Sequence, residues 1–174
     1  MTGATLTAAF EDGRFREGIE KLQMLTRDFS PLLKTIGVGM VKSTQHRFLE
    51  AKDPEGRAWH ALNPVYAETK KGPGILRNRA MSGGLMGSIT FKVEGTVLRV
   101  GSNKKYAAIH QFGGVIRPVT AKALVFRMGG KLVRAGSVKI PARPYLGFGK
   151  EDQVVALEAV DFFYSRALAV ASLR

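Results

Sequence analysis

Three histidines, His46, His60 and His110, are the side chains of this sequence best suited to moving a proton or holding a metal near neutral pH. None stands at metal-ligand spacing with another histidine or with a carboxylate partner on a helix, and the HExxH, EF-hand and zinc-knuckle patterns are absent. The pair His60 and Asn63 has residue types suited to metal-assisted phosphodiester cleavage, but the further histidines or acids that such a site needs do not follow. With no cysteine, thiolate zinc sites, disulfides and cysteine nucleophiles are excluded. A P-loop, GxSxG, and GxGxxG after a strand do not occur. His110, beside Ile109 and Phe112, reads as a hydrogen-bonded structural residue in an apolar turn. The expectation is a protein that is not an enzyme and needs no cofactor or metal.

Charge is the other chemistry available. The 174 residues carry 27 Lys and Arg against 14 Asp and Glu, a net +13. From Gly95 to Lys150 there are eleven basic residues (Arg99, Lys104, Lys105, Arg117, Lys122, Arg127, Lys131, Arg134, Lys139, Arg143, Lys150) and no acidic one. Paired-carboxylate acid and base catalysis therefore cannot be located there. A local excess of one sign creates a field that attracts a polyanion, either nucleic acid or an acidic protein surface. The plainer alternative is a solvated basic face. Solubility alone does not call for such a block in a chain otherwise mixed in sign, so a polyanionic partner is favoured.

The elements that must position these groups follow from periodicity. A chain of this length suits a single domain, which buries roughly 70% of its unfolded surface, and 45% hydrophobic with 24% charged residues is a globular balance. Phe15, Ile19, Leu22, Leu25 and Phe29 recur at helical spacing and predict a first helix over residues 14–29. Ser30 as N-cap with Pro31 at the first helical position opens a second, running to about Glu50. Gly37 and Gly39 inside it each weaken the helix by ~1 kcal/mol relative to alanine, and mark close packing or a bend. Residues 52–84 lose all periodicity and predict a long loop with a helical turn, in which Trp59 either anchors a partner or caps this domain's own core. Alternation over residues 88–93 and 97–100 about Glu94-Gly95 predicts a β-hairpin, and residues 123–128 and 131–135 about Gly129-Gly130 a second. Residues 106–112 predict a short helical turn stopped by Gly113-Gly114. Pro141 and Pro144 force residues 139–146 into an extended arm. Glu151 and Asp152 place acids in the first turn of a last helix through Val154, Leu157, Asp161, Phe162, Ser165 and Leu168. No stretch reaches the ~18 apolar residues of a membrane span or forms a signal-peptide core, so a soluble, non-exported protein is expected.

The fold class is therefore α+β: N-terminal helices and a C-terminal helix on a small, mainly antiparallel sheet of two hairpins, with a long loop and a proline-flanked arm. The single domain divides into a helical region over 1–50, the loop over 51–84, a β-rich basic region over 85–148 and a helix over 149–174.

Four blocks in this order are similar to the phage virion-morphogenesis and tail-completion family of Mu-like and related tailed phages: PEGRAW at 54–59, MSGGLMGSI at 81–89, VGSNKKYAAIHQFGG at 100–114 and IPARPYLG at 140–147. The third and fourth are the specific ones, and residues 80–84 depart from the regular loop expected there. The resemblance implies a small α+β subunit of the neck or tail, assembling at the head–tail junction as a ring. Six copies are expected, with twelve as the alternative, among other neck, tail or portal-side proteins and packaged double-stranded DNA. Its place would be the virion, after assembly in the host cytoplasm. The basic set facing DNA or a neighbouring ring is Lys104, Lys105, Arg117, Lys122, Arg127, Lys131 and Arg134. The docking set is Trp59, Tyr106, Phe112, Ile140, Pro141, Arg143, Pro144, Tyr145 and Leu146.

Overall fold

The structure is a computed structural model that describes residues 28–79 and 84–172. All but the last two residues of the helix expected over 14–29 lie outside that range. The first described helix, α1 (Ser30–Glu50), is capped one residue earlier than its sequence suggests. Phe29 is the N-cap, Asp28 Oδ1 accepts the Ser30 N–H at 2.8 Å, and Pro31 sits in the first turn, where its missing N–H costs nothing.

Helix α1 lies between two partners, and its two glycines make both approaches. A Cβ at Gly37 would meet the ring of Phe91 at 2.5 Å, and one at Gly39 would collide with Val155 Cγ1. Phe91 belongs to β1 (Ile89–Glu94), which pairs antiparallel with β2 (Val97–Ser102) across a turn whose Gly95 has φ +58°. Val155 belongs to α4 (Lys150–Ser172), the C-terminal helix. The weak helix formers are therefore close-packing sites, and the alternative of a bend is not needed.

The remaining elements are short. After α1, Asp53 Oδ1 accepts the N–H groups of Glu55 and Arg57, and a bridge from Lys52 to Ala58 closes the turn. Asn63 then caps α2 (Pro64–Thr69), its side-chain oxygen accepting from Val65 and Tyr66. The expected long loop thus holds a staple and one helical turn. A 3₁₀ turn (Met86–Ser88) leads into β1, and α3 (Ala107–Phe112) follows β2. The fold is α+β with antiparallel strand pairs, as expected, and among the described residues these pairs form three separate two-stranded sheets where one sheet was expected. They are β1–β2, the hairpin of β4 (Leu124–Met128) with β5 (Lys131–Ala135), and a long-range pair of β3 (Gly114–Ile116) with β6 (Val138–Ile140). The β4–β5 turn is Gly129-Gly130 at φ +59° and +75°, the positive angles that a tight hairpin demands.

The core gathers Phe48, Trp59, Leu85, Met86, Ile89 and Tyr145. Phe48 meets Trp59 edge to face at 5.4 Å between ring centres and Tyr145 at 5.0 Å, the tilted arrangements that aromatic quadrupoles favour. Beside it lies the strongest polar feature. Arg47, 3% exposed, forms an ion pair with Asp152, which is fully buried, and Ser43 Oγ donates to the same carboxylate. Asp152 also accepts the Gly149 N–H at 2.7 Å, so one carboxylate caps α4 and pairs with α1. Its position in the first turn suggested only a dipole interaction.

The inward face of α4 carries Asp152, Val155 and Ala159, while the stripe Val154, Leu157, Phe162 and Leu168 is exposed. No helix among the described residues is long and apolar enough to cross a membrane.

Removing the carboxylate in Asp152→Ala leaves a buried guanidinium unpaired, and chemical denaturation should show a loss of roughly 3–5 kcal/mol. The double substitution Arg47→Met/Asp152→Leu, which removes both charges, should lose far less; an equal loss would mean that the pair is not what holds the helices. Gly39→Ala should also lower the melting temperature despite alanine's better helix propensity, since its methyl group has nowhere to go.

Candidate functional site

The structure places the basic set and the docking set in different surroundings. Of the arm, Tyr145 is 1% exposed and Arg143 5%, and Trp59 of the docking set is 7% exposed. Beyond Ile140 the prolines end the pairing of β6 with β3, and side chains satisfy the arm's backbone instead. Trp59 Nε1 donates to Pro144 O at 2.8 Å and Arg47 Nη1 to Tyr145 O at 3.1 Å. The Gln111 amide accepts the N–H groups of Tyr145 and Leu146 at 3.0 Å and donates to Leu146 O at 2.9 Å, as a strand would.

Arg143 donates in turn to the carbonyls of His60 and Ala61, at 2.9 and 3.1 Å, and its own N–H reaches His110 O. It fastens the loop before α2 and the helix α3 to the arm. The Tyr145 hydroxyl donates to Ala107 O at 3.1 Å, and burial pushes its pKa up, which keeps the proton in that bond. Within one chain Trp59, Arg143 and Tyr145 of the docking set are buried and close the chain's own core. Ile140, Pro141, Pro144 and Leu146 are half-buried along the same path. Tyr106 and Phe112 stay on the surface, Phe112 being 77% exposed.

All seven basic candidates are exposed. Lys104 and Lys105 lie between β2 and α3, Arg117 and Lys122 between β3 and β4, and Arg127, Lys131 and Arg134 on the β4–β5 hairpin. None of them pairs with a carboxylate among the described residues, whereas Arg99 of the same block pairs with Glu94. The register Val125↔Arg134 and Arg127↔Leu132 brings two arginines together with two exposed apolar residues on one face of the hairpin. This is the densest grouping that the fold makes from the block.

Two chemical expectations change. His46 does have a helical carboxylate partner: Glu50 lies one turn on at 3.8 Å, and Glu151 of α4 joins them, with ligand atoms within 4.8 Å of one another. All three are exposed, and the i,i+4 spacing of His46 and Glu50 was the readable signal. His110, expected to be a hydrogen-bonded structural residue, has a buried Nδ1 with no partner among the described residues, while its carbonyl accepts the Arg143 N–H. The residues that sequence reasoning missed are Arg47 and Gln111. Arg47 stands among Ser43, Thr44 and Phe48 on the buried side of α1, an anomalous position for a charge that would have revealed it.

Burial, with the Arg143 charge second, holds the His110 pKa below its ordinary value. The folded form then resists protonation that the unfolded chain accepts, so stability is intact above about pH 6.5 and is lost as pH falls through the lowered value. Melting temperatures followed from about pH 7.5 down to about pH 5 should fall, and His110→Gln should flatten that decline; an unchanged slope would assign the acid sensitivity to another group.

A profile of the Phage virion morphogenesis family matches residues 10–162. The chain is 28% identical over 166 residues to a protein of Escherichia phage Mu named putative capsid assembly protein G, covering 94% of this chain and 96% of that one. It is 29% identical over 146 residues to Mu-like prophage FluMu G protein 2 of Haemophilus influenzae, covering 84% and 86%. No solved structure matches it. With the match running from before α1 past the middle of α4, and so through every element that holds the core, the chain belongs to the phage virion morphogenesis family.

Proposed function

We propose that this protein completes the neck or tail of a tailed phage, joining tail to head as one ring around the DNA passage, and that it does so without catalysis. The observation that carries the reading is the exposed basic set over residues 104–134, without a carboxylate partner among the described residues, on a member of a virion-morphogenesis family. A ring around the passage meets either packaged DNA or the acidic surface of a neighbouring ring, and an acid-free block suits both. Tyr106 and Phe112 supply apolar contact beside Lys104 and Lys105. Six copies in a closed cyclic arrangement fit such a place, with twelve as the alternative. The protein would assemble in the host cytoplasm and remain in the virion.

A second reading is favoured by the name of the Mu relative, putative capsid assembly protein G. In that case the chain would serve head formation. The two readings differ in what survives without the protein.

A lysate lacking the gene should contain DNA-filled or nearly filled heads and separate tails, seen by electron microscopy. Joined virions would remove the neck reading, and a lysate without heads would move the protein to head assembly. Reversing charge at Lys104, Lys105, Lys122 and Lys131 should lower infectivity or DNA retention while the circular dichroism spectrum stays unchanged, because exposed lysines contribute little to stability and much to a field. Unchanged infectivity and DNA content would leave a solvated face only.

A further inference from the structure

Two surfaces of this chain complement each other, and neither covers the other within one copy. The outer face of the β4–β5 hairpin presents Arg127 and Arg134 with Val125 and Leu132, which are 55% and 61% exposed. Phosphate contact alone would not require exposed valine and leucine, whereas arginine set among apolar groups is the composition of a protein interface. The outer side of α4 carries the opposite set. Glu151, Glu158 and Asp161 are exposed there with Val154, Leu157 and Phe162, and no basic residue occurs from 151 to 165. Their lengths agree: five-residue strands span about 17 Å, and α4 from Glu151 to Phe162 spans about 16 Å.

We infer that the β4–β5 hairpin of one copy docks on the outer face of α4 of a second copy. The hairpin faces of two copies repel each other, and so do two helix faces, so a symmetric pair through either is disfavoured. A head-to-tail contact remains, which closes into a ring or grows as a filament. The net +13 of each copy opposes association at long range, but at physiological ionic strength it is screened beyond about 8 Å. The inference deepens the ring reading above by naming the contact between subunits.

Sedimentation of the full chain at about 0.15 M salt tests it. The wild type should form species larger than a monomer. Arg127→Glu/Arg134→Glu should be monomeric, as should Leu157→Asp/Phe162→Asp; all four positions are exposed, and circular dichroism checks that the fold is kept. An equimolar mixture of these two variants retains one native contact and should stop at a heterodimer. Arg127→Glu/Arg134→Glu/Glu158→Lys/Asp161→Lys, which swaps the charges in one chain, should recover the larger species. A monomeric wild type, variants that assemble as the wild type does, or a mixture that stays monomeric would each overturn the contact. Those results would leave the neck reading standing if the deletion lysate still held unjoined heads and tails. Joined virions in that lysate would remove the neck reading without touching the sedimentation result.

Discussion

The guanidinium of Arg47 is where the separate parts of this small fold meet. It pairs with Asp152 of α4 and donates to the carbonyls of Tyr145 and Gly147, so one side chain of α1 holds both the last helix and the arm that leads into it. Burying a charge is tolerable only when it is paired and its donors are satisfied, and here carboxylate and carbonyls supply the partners together. The gain is orientation: because Asp152 must face Arg47, the opposite side of α4, with Val154 and Leu157, is turned outward.

The same side chain helps to hold the proline-flanked arm against the rest of the chain. Its backbone groups are taken by Trp59, Arg47 and Gln111, and its aromatic residue fills the core. Fixing the arm positions the segment before it, where β6 pairs with β3, and leaves the basic residues from Lys104 to Arg134 on the outside.

Much of this was legible in the sequence. Alternation and paired glycines located both hairpins, proline and acids marked the ends of the long helices, and Gly37 and Gly39 announced close approach. Periodicity could not say which side of α4 faces inward, since Val154, Leu157, Phe162 and Leu168 make as regular a stripe as a core face; a single buried ion pair decided it. Nor could it separate the hairpins into independent sheets, or foresee β3 with β6, because pairing across more than twenty residues leaves no local pattern. Trp59 and Tyr145 looked like docking groups because aromatic residues in proline-rich segments serve either purpose, and only their hydrogen bonds distinguish the two. His46 with Glu50 was readable and was passed over.

The proposed place of this chain is in the finished particle. Quantitative mass spectrometry of purified, infectious particles tests that claim most directly. It should find this chain at a fixed copy number relative to the other neck and tail proteins, in a multiple of six, and its absence from infectious particles would contradict the account.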